Sequence, residues 1–166
     1  METKTLTDSR LQSLLAQYDM HTTYFNNVLE GISDEDAHQR LQTKANHIAW
    51  IAGSLVQERF ELANTFGIEG HQQANSLFEN YQGIKDQETY PPLSQYKEDW
   101  ENISLPLKDA LHDATREKLD TFFEMMPGQN MTYYDLVVFM MHREAYLIGQ
   151  IGLWRRLLGY EAMKYQ

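Results

Sequence analysis

Arg143 is the residue whose chemistry most needs an explanation. Around it, Leu136, Met140, Arg143, Leu147, Gln150 or Ile151, Trp154 and Leu158 recur at helical spacing and form one interior seam. A guanidinium stays protonated, and burying it without a counter-charge costs several kcal/mol or more. It therefore calls for a carboxylate. Glu58 is the leading candidate, on the stripe His47, Ile51, Ser54, Glu58 of an earlier helix, with Ser54 one turn before it and a tyrosine hydroxyl such as Tyr146 able to join. Such a group can do one of two things. It can act as a polar plug that fixes the register of two helices, or it can place a guanidinium at the base of a cleft for a small anionic molecule.

Two histidines come next. His142 adjoins Arg143 and turns inward only through a local helix bulge, while His47 lies two turns before Ser54 on the same stripe. Two histidines without a neighbouring carboxylate make a weak metal site. The expectation is therefore no metal, with His142 and His47 as the ligands if there is one. Without a metal, His142 is a flank residue hydrogen-bonded through one nitrogen. His21, His38, His71 and His112 lack ligand spacing and read as surface residues, and Trp50, Trp100 and Trp154 read as core packing. Arg155-Arg156 fits the last turn of a helix and Asp34-Glu35-Asp36 a first turn, both complementing the helix dipole. There is no Gly-rich phosphate loop, no serine nucleophile elbow and no His-Glu-x-x-His motif.

The elements that must position these residues are helical. A first helix is expected from about Asp8 to Glu30, closed by Gly31, and a short one from the Ser33 capping pattern to about Leu41. A second long helix covers about Ala45 to Phe66, stopped by Gly67. Tyr90-Pro91-Pro92 interrupts the chain. A third long helix starts near Ser94, bends at Pro106, and resumes until before Pro127-Gly128. Thr132-Tyr133-Tyr134-Asp135 opens the last helix, which runs to Leu158 and stops at Gly159. With no sustained period-2 alternation, no strand is expected, and the fold class is all-α.

Bulk composition removes several functions. The 166 residues carry 14 Lys and Arg against 24 Asp and Glu, a formal charge of −10. Nucleic-acid binding relies on basic side chains neutralising phosphates, so nucleic acid is not an expected partner. No apolar run reaches the length of a membrane span, and the N-terminal Met1–Thr7 lacks the apolar region of a secretory signal. Zero cysteines exclude disulfides, thiolate ligands and a cysteine nucleophile. A cytoplasmic location is expected.

Two regions carry a resemblance. One is Ile32-Ser33-Asp34-Glu35-Asp36 through Asn46-His47-Ile48-Ala49-Trp50-Ile51-Ala52-Gly53-Ser54-Leu55-Val56-Gln57-Glu58; the other is the last helix with Gly149-Gln150 and Arg155-Arg156-Leu157-Leu158-Gly159. Together they resemble the DinB/YfiT-like (DNA-damage-inducible) family. The resemblance implies one domain over residues 1–166, a four-helix bundle with a short extra helix between the first two long helices. It also implies a divalent metal, often nickel or zinc, held by three histidines, one on the second long helix and two on the last. Carried over by position, those ligands fall on Ser54, Arg143 and Leu147. Leucine cannot coordinate, arginine stays protonated and a serine hydroxyl is a weak donor. The expected function is thus a non-catalytic bundle that has lost its metal site, with a small-molecule-binding or stress-associated role. The alternative is a metal-dependent hydrolase or thiol-dependent transferase with an altered ligand set around His142 and His47. A third option is a metal-free enzyme using Arg143 and His142. A homodimer is expected, with the aromatic loop of Phe78, Tyr81 and Tyr90 as an association surface.

Overall fold

The computed structural model describes residues 6–166, so most of the N-terminal stretch read above for a secretory signal lies outside the described residues. Asp8 accepts a hydrogen bond from the Arg10 N–H and opens a 3-10 turn, Ser9–Leu11, that runs into α1, Gln12–Leu29. Ser33 accepts from the Asp36 N–H and caps α2, Asp34–Ala37, a single turn that ends well before Leu41. The second long helix, α3, spans Ile48–Thr65. It starts later than expected because His47 Nδ1 accepts the Trp50 N–H, which makes the histidine its N-cap. Two 3-10 turns, Asn75–Leu77 and Glu79–Tyr81, lead to α4, Leu93–His112, which continues through Pro106.

The chain after α4 departs from expectation. The third long helix does not resume up to Pro127. A one-turn helix, α5 (Arg116–Asp120), is followed by an antiparallel hairpin, β1 (Phe122–Met126) and β2 (Gln129–Thr132). The expectation of no strand is therefore corrected. Phe122-Phe123-Glu124-Met125-Met126 is too short for a long helix, and Pro127-Gly128 behind it makes a tight two-residue turn. Proline presets the first turn position and Gly128 takes the left-handed φ of 79° that the second needs. The pairs Phe122–Thr132 and Phe123–Met131 hold the register, and the Phe123 ring stacks on Tyr133 at 4.8 Å. Thr132 and Asp135 then form a reciprocal capping box for α6, Tyr133–Leu157.

In the bundle α3 packs mainly on α4 and α1 on α6, while α1–α4 and α3–α6 contacts close the ring. Trp100 from α4 is fully buried and stacks on Phe25 of α1 at 4.2 Å. Phe78 and Tyr90 also lie in the core, so two of the three aromatics expected at an association surface face inward and only Tyr81 is exposed. Glycine at 53 is what admits Phe78: a Cβ there would stand 2.1 Å from the ring. Arg155 and Arg156 stand in the last turn of α6 as expected, and Arg155 is buried and also serves the end of α1. Its Nη1 donates to the carbonyls of Val28 and Glu30 at 2.8 Å each. Among the described residues, no helix is long and apolar enough to cross a membrane.

Candidate functional site

The α3–α6 contact is made by two adjacent ion pairs of crossed polarity. On α3 the order is Glu58-Arg59 and on α6 it is Arg143-Glu144. Arg143 Nε donates to Glu58 Oε1 at 2.7 Å, and Arg59 Nε donates to Glu144 Oε1 at 2.6 Å. The expected Arg143–Glu58 pair is present. It is the outer of the two, with side-chain exposures of 35% for Arg143 and 13% for Glu58, against 1% each for Arg59 and Glu144. The deep position on α6 therefore belongs to Glu144, one residue beyond the seam read from the sequence.

The inner pair is closely satisfied. Arg59 grips Glu144 through both Nε and Nη2, the latter at 3.0 Å, and its Nη1 donates to Thr22 Oγ1 and Ser104 Oγ. The guanidinium lies between the rings of Tyr18, 3.9 Å away, and Trp100, 3.4 Å away. His21 Nδ1 sits 3.0 Å from Glu144 Oε2, and the histidine must be the donor because a carboxylate only accepts. Burial alone would raise the Glu144 carboxyl, but Arg59 and His21 outweigh it and hold it below its ordinary value. His21 is thus a buried member of this network and not a surface residue. Nothing in the chain announced it. The available signal was that the neighbours of a Glu58–Arg143 contact, Arg59 and Glu144, also have opposite charges.

The outer pair stands in the wall of a cavity of about 470 Å³ between α3, α6, β1 and the Glu79–Tyr81 turn. Trp50, Ser54, Glu58 and Glu61 line it from α3, Phe139 and Arg143 from α6, Phe123 and Glu124 from β1, and Tyr81 at its rim. Here the late hairpin matters, because it supplies one wall. Burial pushes the Glu58 carboxyl up to about 7, against the pull of Arg143. Its Oε2 and the Trp50 Nε1 are buried and have no hydrogen-bond partner among the described residues. Asn80 and Tyr81 at the rim both take left-handed φ values, 58° and 57°, an uncommon conformation for residues with a Cβ.

Of the residues expected at the site, the fold brings together Ser54, Glu58 and Arg143 and disperses the others. Leu147 is buried but does not line the cavity, and Tyr146 is 59% exposed on the outer side of α6. His142 is exposed, with no helix bulge turning it inward. His47 caps the start of α3, packed against the rings of His38 and Tyr90, and burial followed by the nearby His38 lowers it to about 4. His142 and His47 therefore form no pair. Trp50, expected in the core, is a cavity wall.

A divalent metal does not fit this donor set. Ser54 is the one oxygen donor at the three positions the resemblance assigns, the Arg143 guanidinium is bound to Glu58, and Leu147 offers hydrocarbon. Among the described residues, no group of three or more His, Cys, Asp or Glu side chains stands close enough to hold a metal ion. No curated protein matches the chain. The model of the DinB family matches residues 1–166, the whole chain, in keeping with the helical bundle and its short second helix. The chain belongs to the DinB family.

Proposed function

We propose that this protein is a non-catalytic DinB-family bundle that binds a small organic molecule in the cavity between α3, α6 and the hairpin, in place of the family's metal. The observation that carries the reading is the cavity itself. About 470 Å³ lies within the range of pockets for metabolite-sized ligands, and aromatic walls with a few convergent polar groups are the usual lining of such pockets. The Arg143–Glu58 pair stands where the resemblance assigns a metal ligand to position 143, and it leaves one buried carboxylate oxygen unpartnered among the described residues. A fragment screen by thermal shift, run beside metal analysis of the purified protein, tests this. Fragments should raise the melting temperature of the natural chain and lose that effect in Ser54→Trp, which fills the cavity. Stoichiometric metal that disappears in His142→Ala would overturn the reading.

One observation favours a second reading. A carboxyl titrating near neutrality inside a cavity suits general acid–base chemistry, which would make Glu58 the working group of a metal-free enzyme. Turnover abolished in Glu58→Gln would select it. The proposal also includes a cytoplasmic location and a homodimer. Tyr146, Leu153 and Leu157 support the dimer, being exposed apolar residues along one side of α6, and light scattering on Leu153→Glu tests it.

A further inference from the structure

We propose that the cavity selects a small organic cation, a protonated amine carried on an aromatic or apolar body. This rests on the small-molecule reading above and names the class of ligand. Three features of the lining converge on it. Two carboxylates of α3, Glu58 and Glu61, stand in the wall against one guanidinium, and that guanidinium is already bound to Glu58, while Glu124 is turned to the Gly128 N–H of the hairpin. An anion would have to compete with a carboxylate in contact with Arg143, whereas a cation meets an excess of negative charge. Next, Glu58 Oε2 is a buried acceptor with no donor among the described residues, a costly arrangement that is relieved when the carboxylate turns toward an ammonium N–H in the cavity. Lastly, Trp50, Phe123 and Phe139 present aromatic rings to the same space, and ring faces attract cations while excluding water. Tyr81 at the rim, 87% exposed and in a left-handed conformation, places a further ring where the cavity opens.

The test is calorimetric titration of the purified full chain with three probes of one shape and different charge: 2-phenylethylammonium, 2-phenylethanol and phenylacetate. Titration is done on the alkaline side of the Glu58 titration, where its carboxylate is ionised. The ammonium should bind about tenfold or more tighter than the alcohol, the worth of one charge-assisted contact, and phenylacetate should bind weakest. In Glu58→Gln the advantage of the ammonium should shrink to about threefold or less while the alcohol keeps its affinity. If that variant fails to fold, the ranking of the three probes on the natural chain decides alone, with Glu61→Gln as the second variant. Phenylacetate or the alcohol binding as tightly as the ammonium overturns the cation assignment and leaves the small-molecule reading standing. Binding of none of the three also overturns the cation assignment, and the fragment screen judges the broader reading independently.

Discussion

Replacing Glu144 by Gln should be among the most damaging single changes this chain can suffer, although it alters one atom's identity and almost no volume. The Arg59 guanidinium is 1% exposed and both of its contacts to α6 are to Glu144 oxygens. Glutamine keeps one acceptor but turns an NH2 group toward either the guanidinium or the His21 N–H, so a bond becomes a clash of donors. The arginine remains buried with no counter-charge. Breaking such a pair from one side costs about 3–5 kcal/mol. For a chain of this length each kcal/mol lowers the melting temperature by roughly 2–4 °C, so a fall of about 10–15 °C is expected. Removing both charges should be milder. In Arg59→Met with Glu144→Leu, Thr22 Oγ1 still donates to the Tyr18 carbonyl and Ser104 Oγ to the Trp100 carbonyl. Only the His21 N–H is orphaned, at about 1–3 kcal/mol. Urea unfolding followed by circular dichroism measures Glu144→Gln and the four corners of the cycle, which are the natural chain, Arg59→Met, Glu144→Leu and the double variant, provided the m-values agree. A loss below about 1 kcal/mol for Glu144→Gln, or single losses that simply add in the double variant, would refute the reasoning.

Three other outcomes are expected. The raised Glu58 carboxyl contributes stability that falls as pH rises: the unfolded chain releases that proton near 4.5 and the folded chain near 7, so up to about 3 kcal/mol of its contribution is lost across this window, while the lowered His47 acts in the opposite direction and is common to the natural chain and the variant. Urea midpoints at several pH values should show Glu58→Gln lacking this decline, and parallel curves for the two proteins would contradict the assignment. Gly53→Ala puts a methyl 2.1 Å from the Phe78 ring and 2.8 Å from that of Tyr96, so about 1–3 kcal/mol should be lost in chemical denaturation; an unchanged midpoint would mean that the aromatic cluster can move aside. Arg155→Met strips the donor from the Val28 and Glu30 carbonyls and should cost about 2–3 kcal/mol, with hydrogen exchange rising first at the C-terminal turn of α1; faster exchange confined to α6 would speak against the cross-helix cap.

Much of the scaffold was legible because helix ends obey local rules. Ser33, the Thr132–Asp135 box, Gly31 and Gly159 mark their boundaries through hydrogen bonds and φ values confined to a few residues. The misses have equally local causes. No spacing in residues 122–132 points to a strand, because a hairpin of this size gains its stability from its partner strand and from the Phe123–Tyr133 stack, neither of which a short apolar run reveals. His47 looked like a ligand on a stripe, yet at the first turn a ring nitrogen is more useful as a cap. At the site, the Glu58–Arg143 contact could be reasoned from charge and periodicity, since an arginine near an interior seam demands a carboxylate.

The depth of each residue could not be reasoned in that way. A helix of 3.6 residues per turn lets two neighbouring positions compete for the interior, and their order depends on how α6 is rotated against α1 and α3. Packing put Glu144 inward and left Arg143 on the flank, so the buried charge is a carboxylate clasped by Arg59 and His21 from two other helices. Family, helical punctuation and one cross-helix ion pair are written in the order of residues, because they follow from nearest neighbours and from the cost of a lone charge. That there are two such pairs, that the inner one is sealed, and that the outer one borders a cavity walled by a hairpin more than sixty residues further along the chain than Glu58 emerges from packing alone. Those outcomes depend on contacts between distant segments, and no local spacing encodes them.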